Sequence, residues 1–241
     1  MRTLNTGSPA ALFLRHLASA LCLCSLALAP RAPGQSATPA GGTIVGRVTA
    51  PDDDFLEALR RGKKLLRYDS HSHSAEPIEP YSLAEVSVVY IESAPETTIR
   101  SAPARHPELN QQQMVFRPLV LPVVAGTTVD FPNNDDLFHN VFSYSKAGEF
   151  DLGRYPKGQR RSVTFPEPGI VNVFCDIHSY MFATIIVLDN PWFALPGDDG
   201  GYSIGEVPPG TYDLTFWYGR KKVSTRKVTV KEGQTTSVNF P

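Results

Sequence analysis

The chain has 241 residues, 41% of them hydrophobic, with 23 Lys+Arg against 24 Asp+Glu. That length suits one large or two small domains, and the near-neutral charge gives no electrostatic footprint for nucleic acid, so DNA and RNA are excluded as expected partners. The 21 prolines and 18 glycines, set among short Val/Ile/Thr/Tyr/Phe runs, point to an all-β chain of strands and turns.

The chain opens with Arg2 and Arg15, an apolar run from Leu17 to Ala29, and a Pro/Ala/Gly/Ser-rich stretch. This is the layout of a secretory signal peptide, expected over residues 1–37. The run is shorter than the ~20 apolar residues a membrane span takes, so no membrane-spanning segment is expected. Cleavage fits after Gly34 or Ala37, whereas Pro30 disfavours a cut after Ala29. No Arg-Arg pair precedes the run, which favours the ordinary unfolded export route. Cys22 and Cys24 each follow a Leu where lipidation wants a small residue, leaving a lipoprotein as the minor alternative. The mature chain is expected in the periplasm or outside the cell, with 20 basic against 24 acidic residues and Cys175 as its sole cysteine. A lone cysteine in an oxidising compartment closes no internal disulfide; it is either buried and inert, or reactive or metal-bound.

Residues 41–93 hold two expected strands, Thr43 to Ala50 and Ala84 to Glu92. Between them Phe55, Leu56, Leu59, Leu65 and Leu66 are roughly helically spaced, with Arg60, Arg61, Lys63 and Lys64 on the polar side, which predicts a short surface helix. His71 and His73 sit in a Ser/Pro-rich loop; the pair can trap a stray metal, but an exposed loop is the simpler reading. A Pro- and Ala-rich linker is expected over 94–110. Residues 111–191 then supply six β-type segments, VFRPLVLPV, GTTVDFPN, DLFHNVFSYS, RRSVTF, GIVNVFC and MFATIIVLD, separated by Gly, Pro, Asn and Asp. That is the pattern of a sandwich or barrel.

A second linker is expected from Asn190 to Pro196, and residues 197–241 add four more strands. In one of them Tyr212, Leu214, Phe216 and Tyr218 alternate with Thr211, Asp213, Thr215 and Trp217, so one face is expected to be buried. Neither flank can stand alone. Both are expected to form one split β-sandwich with 111–191 inserted in it as a separate domain. The flanks resemble the carboxypeptidase regulatory-like (transthyretin-type) β-sandwich family, on GTIVGRV from Gly42, DGGYSI from Asp199 and VPPGTYDL from Val207. That resemblance implies a fold and no reaction.

The chemistry concentrates in one segment. Cys175, His178 and Met181 form C-x2-H-x2-M at the end of a predicted strand, and His139-Asn140 lies upstream in another. Alone, His139 reads as a satisfied histidine and Met181 as core packing, as does Met114. Together, two imidazoles and a thiolate in trigonal array with a weak axial thioether are what a mononuclear blue-copper site needs. Soft sulfur suits Cu(I) and imidazole suits Cu(II), so a site holding both changes little when an electron moves.

The stretch 111–191 resembles a cupredoxin with the short ligand loop of the amicyanin type. The resemblance implies a Greek-key β-sandwich holding one type 1 copper. In it His139 is the upstream ligand, Cys175 the thiolate, His178 the partly exposed imidazole and Met181 the axial ligand. It also implies that Asn140, directly after the first His, ties the two ligand segments together. FRPLVLPVVAGTTVDFPNND matches the second and third strands of that family.

A copper A centre needs two bridging thiolates, and the mature chain has one cysteine. Multicopper oxidases and copper nitrite reductases need further histidine clusters, and five histidines remain after cleavage. No nucleophile elbow marks a hydrolase. Zinc suits Cys plus two His but leaves the Met idle. Catalysis is therefore not expected. The leading expectation is a one-electron carrier that docks a redox protein at an apolar patch around His178, made by Ile177, Tyr180, Phe138 and Pro132. Asp176, beside the thiolate, is expected to lower the potential or select a basic partner. Two other readings stand beside it: a copper delivery or storage module, and an adhesion or assembly protein in which copper is structural.

Overall fold

A computed structural model describes residues 40–52, 79–94 and 105–241. The expected leader, the helix between Phe55 and Leu66, His71, His73 and most of the first linker lie outside these residues. Among the described residues no helix is long and apolar enough to cross a membrane.

In chain order the elements are β1 (Gly42–Arg47), the one-turn helix α1 (Leu83–Val86), β2 (Ser87–Ile91), β3 (Asn110–Gln112), β4 (Val115–Arg117), β5 (Val120–Val124), β6 (Thr127–Pro132) and β7 (His139–Ser145). They continue with β8 (Gly148–Tyr155), β9 (Arg160–Phe165), β10 (Gly169–Phe174), β11 (Phe182–Leu188), β12 (Phe193–Ala194), β13 (Gly201–Val207), β14 (Gly210–Tyr218), β15 (Lys221–Val230) and β16 (Thr235–Ser237). The all-β expectation holds, with two local corrections. The strand expected from Ala84 begins at Ser87, because Ser82 and Glu85 form a reciprocal capping box that winds Leu83–Val86 into a helical turn. Pro118 and Leu119 lie between β4 and β5 and divide the apolar run at Val115 into two strands, since proline has no N–H to give a ladder.

The middle of the chain forms a five-stranded sheet in the order β5-β11-β10-β7-β8, with the pairs β6–β9 and β3–β4 beside it. The flanks form a three-stranded sheet, β13-β1-β16, and a four-stranded sheet, β12-β2-β14-β15. Residues from both flanks share one core that includes Ile44, Val89, Ile91, Tyr202, Leu214 and Phe216. A second core, with Phe131, Phe165, Val171, Val173 and Ile185, lies within the middle segment.

The strand β11 explains how these cores meet. All seven of its residues are buried, an apolar run of the kind covered on both faces. Ala183, Ile185 and Val187 enter the middle core. Ile186 and Leu188 pack with Val120 of β5 against Val88 and Tyr90 of β2 and Trp217 of β14. This third apolar layer corrects the expectation for β14: Thr215 and Trp217 are buried as well as Phe216 and Tyr218. Nor is Asn190–Pro196 a free tether. Asn190 donates to the Ile91 carbonyl at 2.9 Å, Trp192 enters the flank core, and β12 pairs with β2.

Candidate metal centre

Strand periodicity aims both sulfur side chains into the middle core. Val171, Val173 and Cys175 alternate along β10 and beyond its end, and Met181, Ala183 and Ile185 do so at the start of β11; all belong to that core. The antiparallel register pairs Phe174 with Phe182, so extending it by one residue sets Cys175 opposite Met181. The intervening loop is closed by the Met181 N–H donating to the His178 carbonyl at 2.9 Å. His139 opens β7, fully buried, next to a bulge between Asn140 and Phe142. Bulges at such places re-aim side chains.

Three of the four expected donors converge. His139 Nδ1 lies 3.1 Å from His178 Nδ1, and Cys175 Sγ lies 4.0 Å from the first and 3.9 Å from the second. One point in the plane of this triangle is about 2.0–2.1 Å from both nitrogens and about 2.3 Å from the sulfur, the lengths of metal–imidazole and metal–thiolate bonds. Two imidazole nitrogens and a sulfur aimed at one another in a buried place can be satisfied either by shared protons or by one cation among them. The donor set therefore fits a single metal ion. Met181 is buried in the same core as Cys175.

The surroundings prepare these groups. Burial alone raises the Cys175 thiol, but hydrogen bonds from His139 and His178 and from the Asn140 and His178 backbone outweigh it and lower the pKa to about 5. A thiolate, the form that binds metal, is thus favoured at neutral pH. Burial likewise disfavours charge on His139, yet Asp135 and Cys175 outweigh it and raise the pKa to about 8. Asn140 bridges the two ligand segments: its Oδ1 accepts from the Asp176 N–H at 3.3 Å and its Nδ2 donates to Asp151 at 2.7 Å.

Asp135 is the residue that sequence reasoning missed. Its Oδ2 lies 2.8 Å from His139 Nε2, leaving Nδ1 to face the triangle. The only signal was an acid four residues before the histidine, in the run Pro132-Asn133-Asn134-Asp135-Asp136. The expected apolar rim is present in part. Phe138, Leu137 and Ile177 are 57%, 41% and 39% exposed, and His178 and Tyr180 are half-buried. Pro132 is buried in β6 and adds nothing to that surface. Asp176 is ion-paired to Arg154 at 2.8 Å, so its charge is met within the chain.

Residues 106–188 match the family model for copper binding proteins of the plastocyanin/azurin family, and residues 192–238 match that for polysaccharide lyase family 4, domain II. No curated protein matches at a significant level. Among solved structures, a purple cupredoxin from Nitrosopumilus maritimus is 24% identical over 34% of this chain and 98% of its own, with a TM-score of 0.31. A reduced amicyanin variant is 25% identical over 41% of this chain and 97% of its own, at 0.33. A copper-containing nitrite reductase from Thermus scotoductus is 26% identical over 47% of this chain and 32% of its own, at 0.36. The stretch 106–188 is a cupredoxin domain, and copper is the metal its family binds.

Proposed function

We propose that this cupredoxin domain holds one copper ion through His139, Cys175 and His178, with Met181 as a weak fourth ligand, and that the protein carries single electrons between redox partners outside the cytoplasm. The observation that carries the reading is the buried triangle of two imidazole nitrogens and one thiolate sulfur. When bound, copper supplies a one-electron couple between Cu(II) and Cu(I).

The chain's own residues do the rest. Cys175 offers the soft donor that Cu(I) prefers, and His139 and His178 the imidazoles that suit Cu(II). The neighbouring strands β7, β10 and β11 hold His139, Cys175 and Met181, and the loop between β10 and β11 carries His178, so a bound copper would meet one donor set in both oxidation states. Burial of His139, Cys175 and Met181 excludes water from that side of the site. His178 is the donor nearest the surface, and Leu137, Phe138 and Ile177 supply the apolar contact through which a redox partner docks. Transient electron-transfer encounters bury little area, and a patch of this kind suits them. The Arg154–Asp176 pair leaves the rim without a bare charge beside the thiolate. Export is supported by the leader-like sequence over residues 1–37 and by the single cysteine beyond it.

The test is a redox titration of the copper-loaded protein in the presence of a strong Cu(I) chelator. A carrier shows one reversible one-electron wave and keeps its copper through repeated cycles. Loss of copper to the chelator on reduction would favour the delivery reading instead.

A further inference from the structure

The turn between β3 and β4 carries two residues in the left-handed region, Gln113 at φ 56° and Met114 at φ 59°. Hairpin turns of this geometry favour Asn-Gly, and side chains larger than glycine cost roughly 1–2 kcal/mol each there. Something local must over-determine such a turn. Its two successive N–H groups both point at one carboxylate: Gln113 N donates to Asp135 Oδ1 at 2.6 Å and Met114 N to Asp135 Oδ2 at 2.8 Å. The same Oδ2 receives His139 Nε2 at 2.8 Å, and the Asp135 N–H is held by Asn133 Oδ1 at 3.0 Å.

The two side chains of the turn are engaged as well. Gln113 Oε1 accepts from the Glu79 N–H at 2.8 Å, and Met114 Sδ accepts from the Tyr180 hydroxyl, in the ligand loop, at 3.4 Å. Glycine at either position would relax the backbone and lose that contact. The hairpin therefore touches both ligand segments, His139 through Asp135 and the 175–181 loop through Tyr180.

We propose that Asp135, cradled by the strained Gln113–Met114 turn, is a positioning residue for the copper site: it fixes His139 with Nδ1 toward the metal and places a negative charge behind the imidazole that favours Cu(II) over Cu(I). The inference rests on the copper reading above. Groups that orient and polarise a ligating histidine typically govern metal affinity by 10–100-fold. In Asp135→Asn, an amide oxygen at the Oδ2 position keeps the His139 and Met114 bonds, so the change removes the charge and the Gln113 bond.

The experiment compares Cu(II) and Cu(I) affinities and reduction potentials of the wild type, Asp135→Asn and Asp136→Asn. The last removes the same formal charge from the neighbouring exposed residue, which pairs with Lys157. Asp135→Asn should bind Cu(II) about tenfold or more weakly with a smaller loss for Cu(I). A tenfold difference between the two losses raises the potential by about 59 mV. Asp136→Asn should match the wild type. A coloured wild type with identical potentials in all three proteins would overturn the inference while leaving the copper reading intact; a wild type with no thiolate–copper colour would overturn both. Should Asp135→Asn fail to fold, ¹⁵N-histidine NMR of the wild-type Cu(I) form decides. Metal-bound Nδ1 with a protected Nε2–H on His139 supports the arrangement, and the reverse tautomer contradicts it.

Discussion

Met181 and Cys175 enter the same core by the same strand alternation, yet they should respond differently to substitution. In the proposed site the Cys175 thiolate would be the strong ligand and the Met181 thioether a weak one that mainly tunes the potential. Met181→Leu should therefore leave a coloured copper site with an altered potential, read by spectroelectrochemistry; a colourless protein would contradict the axial role. The meeting of Cys175 and His178 with His139 was legible in the three-residue spacing on one loop and the His-Asn pair upstream, whereas of Met181 the structure shows burial in the same core. Asp135 was not legible, because two adjacent acids precede His139, and only the turn held by Asn133 decides which of them meets the imidazole.

At the scale of elements, the strands that carry buried alternation were readable, and those shaped by neighbours were not. β11 reads plainly as an apolar run, but β8, with the sequence GEFDLGRY, alternates through polar and exposed positions at the sheet edge and carries little signal. The helical turn α1 was hidden inside an apparently continuous β-type run until the Ser82–Glu85 box was seen to close. The edge beside β1 is equally specific. A Cβ at Gly46 would lie 1.7 Å from the Val238 carbonyl oxygen, and the Val238 N–H is bonded to the Val45 carbonyl at 2.8 Å. Backbone on both sides cannot give way cheaply. Gly46→Ala should cost about 1–3 kcal/mol by overpacking, visible as a lower melting temperature, while the spectrum of the copper-loaded protein stays unchanged. A variant that melts like the wild type would contradict the close approach of β1 to the C-terminal segment.

For the molecule as a whole, sequence suggested two bodies joined by linkers, and the structure shows an apolar layer of Val88, Tyr90, Val120, Ile186, Leu188 and Trp217 where the sheets meet. Faces buried against another domain look, in sequence, like faces buried within one, so the layer could not be read in advance. An apolar contact of this kind restrains the relative motion that a polar contact would allow. Buried tyrosines serve all parts of the fold: Tyr81, Tyr155 and Tyr202 have their phenols pushed well above the usual value, chiefly by desolvation. Because the folded pKa values are raised, the neutral forms stabilise the fold below the unfolded pKa of about 10, and that contribution is lost as pH rises beyond it. Denaturant melts of the metal-free protein should therefore show stability holding to about pH 9 and falling steeply above about pH 10. A flat profile through about pH 11.5 would contradict the burial of these phenols.

The most direct measurement of the central claim is visible absorption of the mature protein titrated with Cu(II), beside Cys175→Ser. A thiolate–copper site should give an intense blue to green band that saturates at one copper per chain, bleaches with reductant, returns with oxidant and is absent from the variant. Copper uptake without that band, or the same band in Cys175→Ser, would contradict a thiolate–copper redox site at His139, Cys175 and His178.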